Sequence, residues 1–259
     1  MSGQQAMDTW VFLRGLTRSS AHWGPFIADF QAALPDAQVI ALDLPGNGGL
    51  WQHHTPATVA AMVQACRQQL QQRGLAGPVS LLAMSMGGMV AAHWAAHWPQ
   101  EVSALVLVNT SMRPFSPAWQ RMRPGSFLRL LQLAVRAAQG QAREQEILRL
   151  TSNHARHDVL SDWVDERVRH PVSAANTFRQ LLAAARYRAA AQAPAMPTLV
   201  LAGQQDRLVD VRCSLALANN WGVELRLHPT AGHDLTLDDG PWVAAEVRRW
   251  RQASRPETI

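Results

Sequence analysis

The sequence contains no lysine and very little cysteine. All 24 basic residues among the 259 are arginine, and two residues are cysteine. Cys66 and Cys213 lie far apart, without the spacing of metal ligands, on apolar positions of predicted helices. We therefore expect two buried thiols in a reducing compartment.

Long hydrophobic runs are also absent. No apolar run approaches the roughly 20 residues that a helix needs to cross a bilayer. The first ten residues lack the basic stretch and apolar run of a signal peptide. We therefore expect a cytoplasmic protein without a membrane span. Because 47% of the residues are hydrophobic and 17% are charged, a disordered chain is excluded, and the composition is typical of a globular enzyme.

The net charge of +5 is concentrated in one segment. Residues 111–195 contain 13 arginines against six acidic residues, whereas the rest of the chain has 11 arginines against 13 acidic residues. Such a segment could attract an anionic substrate, or its arginines could simply face solvent. Nucleic-acid binding has no supporting motif, so we expect no nucleic-acid partner.

Short apolar runs alternate with helical patterns outside that segment. Nearly continuous β-branched and leucine runs predict strands that are covered on both faces, at residues 10–13, 39–42, 79–83, 104–108 and 198–202. Residues 223–227 alternate apolar and polar side chains, as an edge strand does. One helix is predicted to begin with Thr55 as its N-cap and Pro56 in its first turn, and to end at Gly74.

The alternation stops near Ser111 and resumes near Pro197. The interval is rich in Arg, Gln and Ala and contains no convincing strand; apolar residues recur at helical spacing at Phe127, Leu130, Leu131, Leu133 and Val135. We predict an α/β fold with a doubly wound, mostly parallel sheet. Residues 1–110 and 196–259 would form the core, and residues 111–195 an inserted helical cap.

A candidate nucleophile follows the third predicted strand. Residues 83–88 read Ala-Met-Ser-Met-Gly-Gly and lead into a helix. A serine on a tight strand-to-helix turn needs small residues two positions away on each side, so that its hydroxyl projects above the sheet. Ser85 meets this requirement.

Two further polar residues follow later strands. Asp206 lies in Gly-Gln-Gln-Asp-Arg-Leu-Val, directly after a buried strand, and His233 lies in Ala-Gly-His-Asp, after the edge strand. Carboxyl ends of strands are where open α/β sheets build their sites, and the order Ser, Asp, His suits this architecture. Asp210 and Asp234 remain alternative acids for the histidine.

These motifs together resemble the α/β-hydrolase family, in its branch of small esterases with a helical cap. The similarity covers residues 10–110 and 196–250. It rests on the elbow and its helix at 85–91 (SMGGMVA), on 99–102 (PQEV), on the next strand at 105–109 (LVLVN) and on the loop at 42–48 (LDLPGNG).

The resemblance implies a role for each site residue. Ser85 would be the nucleophile, His233 the general base and Asp206 the acid that orients the histidine. The backbone N–H groups of Leu16 and Met86 would form the oxyanion hole. No cofactor and no metal would be needed.

The sequence departs from the family pattern at three positions near the site. The family usually has His-Gly after its first core strand, where this chain has Arg14-Gly15. Met84 replaces the customary histidine before Ser85, and Ala83 replaces the first glycine of the elbow. Because the oxyanion donors are backbone groups, these changes leave the hole possible.

Other polar and aromatic residues have less specific roles. Trp23 either packs at a helix start or lines the substrate pocket. Asp43 is expected to be structural. His93 and His97 have a spacing of four, which can ligate a metal, but no third ligand is evident, so we expect none.

We expect a serine hydrolase that cleaves the carboxylic ester of a small molecule, which could be acidic or bound to a carrier protein. The same triad could instead act on a thioester or a carbon–carbon bond, or in a lyase reaction. A hydrolase-like binding protein without turnover is a further alternative. Haloalkane dehalogenases and epoxide hydrolases need Asp at the position of Ser85.

Overall fold

Six parallel strands form one sheet in the computed structural model, which describes residues 8–75, 77–135, 140–154 and 157–254. Their order across the sheet is β2-β1-β3-β4-β5-β6, and every neighbouring pair is parallel. The strands are β1 (Asp8–Leu13), β2 (Ala37–Leu42), β3 (Val79–Met84), β4 (Val102–Val108), β5 (Thr198–Gly203) and β6 (Glu224–His228).

All six predicted strands are confirmed, with ends that differ by no more than two residues. The central strand β3 is buried along its whole length, which explains its continuous apolar run. Strand β6 lies at the sheet edge, and its residues alternate between exposed and partly buried, as its alternating sequence predicts.

Helices cover both faces of the sheet. One face packs against α2 (Val59–Gln72), α3 (Met86–His97) and α9 (Arg212–Trp221), and the other against α1 (Phe26–Ala33) and α11 (Gly240–Ser254). The short helix α10 (Leu235–Asp238) precedes α11. Cys66 and Cys213 are buried free thiols on α2 and α9, as expected. Within the described ranges, no helix is long and apolar enough to cross a membrane.

The segment between β4 and β5 is helical. It contains α4 (Ala118–Arg121), α5 (Pro124–Val135), α6 (Gln141–Thr151), α7 (Leu160–Arg169) and α8 (Ala174–Arg186). We call residues 111–195 the helical insertion. No strand interrupts the helices in its described part. Phe127 is exposed on α5, whereas the side chains of Leu131, Leu133 and Val135 lie outside the described part.

Helix α2 begins three residues later than predicted. Its N-cap is Thr58, whose hydroxyl accepts a hydrogen bond from the Ala61 N–H at 3.3 Å. Thr55 is buried instead, and its hydroxyl donates to the Pro45 carbonyl at 2.7 Å. A threonine whose hydroxyl is bonded to a neighbouring loop cannot cap the helix, so the prediction for Thr55 is wrong.

Candidate active site

The candidate site lies where the strand order reverses. The chain leaves β1 toward β2 on one side and β3 toward β4 on the other. The crevice at the carboxyl ends of such strands is the usual ligand site of a doubly wound sheet. Arg14 and Gly15 follow β1 there, and Ser85 follows β3.

Ser85 has the strained backbone that a nucleophile elbow requires. Its φ of 55° and ψ of −120° are rare for a residue with a side chain and cost on the order of 1–3 kcal/mol. Two hydrogen bonds to the end of β4 and the residues after it hold the turn. The Ser85 N–H donates to the Val108 carbonyl at 2.9 Å, and the Thr110 hydroxyl donates to the Ser85 carbonyl at 2.7 Å.

Glycines bring the neighbouring backbone close to this turn. A Cβ added at Gly15 would lie 2.9 Å from the Ser85 Cβ, and one at Gly87 would lie 2.4 Å from the Leu13 carbonyl oxygen. The loop after β1, which carries Leu16, therefore runs beside the Ser85 side chain. Met86 begins α3, so its N–H lacks a partner within the helix.

His233 and Asp206 form a buried pair. The His233 Nδ1 lies 2.7 Å from Asp206 Oδ2, and the two residues are only 5% and 3% exposed. The other oxygen of Asp206 accepts hydrogen bonds from the N–H groups of Leu208 and Val209 at 2.7 and 2.9 Å. The carboxylate is thus held in one orientation, with one oxygen directed at the imidazole.

Asn109 links the histidine loop to the serine turn, a role that the sequence analysis missed. Its amide nitrogen donates to the carbonyls of Gly232 and His233 at 3.0 and 2.7 Å, and its amide oxygen accepts from the Gly203 N–H at 2.9 Å. Asn109 is buried and has a φ of 44°. Residues 108–110 therefore bond both the Ser85 turn and the His233 loop.

The two alternative acids have other partners. Asp210 accepts hydrogen bonds from the Arg212 side chain at 3.0 and 2.7 Å. These bonds are the largest cause that lowers the pKa of Asp210 to about 2. Asp210 is thus paired with an arginine, and of the three carboxylates only that of Asp206 is hydrogen-bonded to the His233 imidazole.

Asp234 pairs with Arg14, the residue that departs from the family pattern. The Arg14 Nη1 and Nη2 donate to Asp234 Oδ1 and Oδ2 at 3.1 and 2.6 Å, and both residues are buried. Burial raises the pKa of Asp234, but the adjacent Arg14 charge and its hydrogen bonds bring it below the ordinary value. The pair joins the predicted oxyanion loop to the residue after His233. Arg14 also contacts Met84 Sδ at 3.3 Å.

Trp23 and Asp43, the other residues considered in the sequence, are both held by neighbouring groups. Trp23 is 2% exposed and packs against Phe12, with the Arg14 guanidinium 4.9 Å from its ring centroid. Asp43 accepts hydrogen bonds from the backbone N–H groups of Ser20 and Gly49, as a structural residue does.

The chain is similar in sequence to known hydrolases. A family model described as "Serine aminopeptidase, S33" (Hydrolase_4) matches residues 4–240. The chain is 29% identical over 214 residues to the pimeloyl-[acyl-carrier protein] methyl ester esterase of Vibrio parahaemolyticus, covering 80% of each protein. It is 25% identical over 240 residues to the biotin biosynthesis bifunctional protein BioHC of Cellvibrio japonicus, covering 86% of this chain and 43% of that protein.

The solved structures share the same fold. A thermophilic esterase from Thermogutta terrifontis superposes with a TM-score of 0.72 at 22% identity, over 96% of this chain and 91% of the other. The present chain spans less than half the length of the bifunctional relative.

Proposed function

The chain belongs to the α/β-hydrolase family described as serine aminopeptidase S33, and from this membership and the site geometry we propose that it hydrolyses carboxylic esters through an acyl-serine intermediate. Ser85 is the nucleophile, His233 the base and Asp206 the orienting acid in this proposal. The observation that carries it is the buried 2.7 Å contact between His233 and Asp206, at the same sheet edge as the strained Ser85.

The chemistry follows from these positions. His233 Nε2 takes the proton of the Ser85 hydroxyl as the serine oxygen attacks the ester carbonyl carbon. The Asp206 carboxylate holds Nδ1–H and stabilises the imidazolium that forms. The same proton then goes to the leaving alkoxide. In the second half of the reaction, His233 takes a proton from a water molecule as the water oxygen attacks the acyl carbon. His233 then returns this proton to the Ser85 oxygen as the acid leaves.

The negative oxygen of the tetrahedral intermediate needs hydrogen-bond donors. In our proposal the N–H groups of Leu16 and Met86 supply them. Gly15 supports this assignment, because a side chain there would collide with Ser85 and push the loop of Leu16 away. The loss of one such donor typically lowers turnover on the order of 10²–10³-fold.

A labelling experiment tests the nucleophile. A fluorophosphonate should add one mass label to the wild-type chain and none to Ser85→Ala, while Ser103→Ala, a serine at the opposite end of the sheet in β4, should be labelled like the wild type. Labelling that persists in Ser85→Ala would refute the assignment.

A substrate panel tests the bond that is cleaved. We expect p-nitrophenyl esters to be hydrolysed faster than acyl thioesters and aminoacyl p-nitroanilides, the last of which test the peptidase activity that the family description names. Activity confined to the anilides would contradict esterase function and leave the triad intact.

We also propose that the physiological ester is anionic or bound to an acidic carrier protein. In the described part of the helical insertion, seven arginines are exposed, namely Arg113, Arg129, Arg149, Arg169, Arg179, Arg186 and Arg188. Two of its six acids, Glu144 and Glu166, are buried in internal contacts. The positive charge is therefore directed outward, where it can attract an anion. The related Vibrio protein is named for a carrier-protein ester.

Ionic strength tests this substrate class. For an anionic acyl ester, kcat/KM should fall steeply as salt shortens the screening length from about 10 Å at 0.1 M to about 3 Å at 1 M. A neutral ester of equal length should be barely affected. The double variant Arg179→Gln/Arg186→Gln, which changes two exposed side chains of α8, should flatten the salt profile of the anionic ester. Identical profiles for both esters would leave the arginines as solvent-facing surface.

A further inference from the structure

Three consecutive residues after Leu16 are each held by a different helix of the insertion. The Thr17 N–H donates to Gln180 Oε1 of α8 at 2.8 Å. Arg18 Nη1 donates to Glu144 Oε2 of α6 at 2.7 Å, and the Ser19 hydroxyl donates to Glu166 Oε1 of α7 at 2.6 Å. The loop that carries the predicted oxyanion donor is thus hydrogen-bonded, through three consecutive residues, to α8, α6 and α7.

Of these three contacts, the one made by Gln180 is to a backbone group, the Thr17 N–H. Gln180 is 0% exposed, and its Nε2 donates to Asn47 Oδ1 at 2.8 Å. Because Asn47 Oδ1 can only accept, the Gln180 amide must direct its oxygen toward Thr17. Asn47 in turn donates to the Arg18 carbonyl at 3.0 Å, so the amide cannot reorient without breaking bonds on both sides.

Thr17 needs an external contact to keep its conformation. Its φ is 56°, in the left-handed region, which costs a non-glycine residue roughly 1–2 kcal/mol. The peptide that contains the Thr17 N–H is joined to Leu16 through the Leu16 carbonyl carbon. The Leu16 N–H lies in the preceding peptide, and only the φ and ψ of Leu16 separate the two peptides. Holding the Thr17 N–H on Gln180 therefore restricts the directions that the Leu16 N–H can take.

We propose that Gln180 is a positioning residue for the oxyanion hole, through which the helical insertion sets the geometry of the Leu16 donor. The proposal rests on the esterase function argued above. Gln180 does not touch the reacting atoms. It holds the peptide after Leu16, and its loss releases a strained loop beside Ser85.

Asn176 provides a matched control. It lies one turn earlier on α8, is buried, and also bonds the core backbone: its Oδ1 accepts from the Thr55 N–H at 2.9 Å and its Nδ2 donates to the His53 carbonyl at 3.0 Å. Neither partner belongs to the Leu16 loop. Asn176→Leu and Gln180→Met both remove a buried amide from the same helix, but only Gln180→Met removes the acceptor of the Thr17 N–H.

The experiment compares these variants by the rate of fluorophosphonate labelling and by hydrolysis of p-nitrophenyl butyrate. Both reactions develop negative charge on an oxygen in the hole. Gln180→Met should lower the labelling rate and kcat about tenfold or more, short of the loss of a whole donor, with KM within about twofold. Affinity for a trifluoromethyl ketone, which forms a tetrahedral adduct, should weaken by the same factor as kcat/KM. Asn176→Leu should lower the melting temperature comparably while leaving these rates within about twofold.

Gln180→Asn serves as a second variant if Gln180→Met does not fold. It keeps the amide but withdraws it by roughly 1.5 Å, so it should reproduce the loss of kcat. Equal labelling rates for the Gln180 variants and the wild type would overturn this inference and leave the esterase proposal standing. A wild-type chain that is not labelled at Ser85 would overturn the esterase proposal, and this inference with it.

Discussion

The buried pair of Arg14 and Asp234 gives the sharpest prediction for stability. The side chains are 3% and 4% exposed and meet through two hydrogen bonds. Replacing Asp234 by Leu leaves the guanidinium buried without its counter-ion, which typically costs 3–5 kcal/mol. Replacing Arg14 by Met leaves the Asp234 carboxylate buried without its counter-ion and should lower the free energy of unfolding by a similar amount. The double variant Arg14→Met/Asp234→Leu removes both charges, so it should be far less destabilised than the sum of the two single variants.

Urea denaturation followed by tryptophan fluorescence measures this coupling. Trp10 and Trp94 are buried in the core, so their emission reports global unfolding. With a slope of about 3 kcal/mol per molar urea, each single variant should shift the midpoint by at least about 1 M. The double-mutant cycle should give a coupling of at least about 2 kcal/mol. Additive losses, or single variants that cost less than about 1 kcal/mol, would show that water or another group replaces the lost partner and would refute the reasoning.

Three further predictions concern the site. Asp206→Asn should lower kcat by roughly 10³–10⁴-fold with the fold intact, because it favours the wrong imidazole tautomer. In the same steady-state assay, the kcat of Asp210→Asn should stay within about tenfold of the wild-type value. The reverse order would assign the role of the acid to Asp210. Gly15→Ala should nearly abolish ester hydrolysis, because its Cβ would lie 2.9 Å from the Ser85 Cβ. The control Gly49→Ala, whose Cβ would have its nearest contact at 3.7 Å, should retain activity. Equal activities would mean that the loop moves to accommodate the new side chain. The pKa of Asp234 is lowered in the folded protein. Its carboxylate therefore stabilises the fold above the unfolded pKa near 4, and this contribution is lost as the pH falls through the folded pKa. In an acid titration below about pH 4, the double variant Arg14→Met/Asp234→Leu should lose less stability than the wild type, and parallel curves would contradict this.

The sheet was predictable from the sequence because each strand carries its own signal. A strand such as Val79–Met84 is buried on both faces, and this burial requires the continuous apolar run from which the strand was predicted. The place of Ser85 on a strand-to-helix turn was predictable for the same reason, because a strand end, small neighbours and a helix start are all local features. The residues of the predicted triad therefore follow from strand ends that the sequence itself marks.

Contacts between distant segments leave no such signal. Arg14 and Asp234 are 220 residues apart, and Gln180 bonds Thr17 from 163 residues away. In sequence, Asp234 reads as an alternative partner for His233 and Arg14 as an isolated departure from a family motif. Only the fold shows that they neutralise each other. Thr58 illustrates a local limit, because Thr55 and Thr58 are both plausible caps until the loop contact of Thr55 is known.

Two of the three departures from the family pattern near the site contact each other. The Arg14 guanidinium bonds Asp234 on one side and lies 3.3 Å from the Met84 sulfur on another. Two of the positions at which the chain differs from the pattern therefore share one buried contact. Through Asp234 this contact joins the loop after β1 to the loop of His233, and Gln180 bonds the same loop after β1 to the helical insertion. Since the loop is bonded to both sets of buried side chains, we expect a change in either set to affect the predicted Leu16 donor as well as stability.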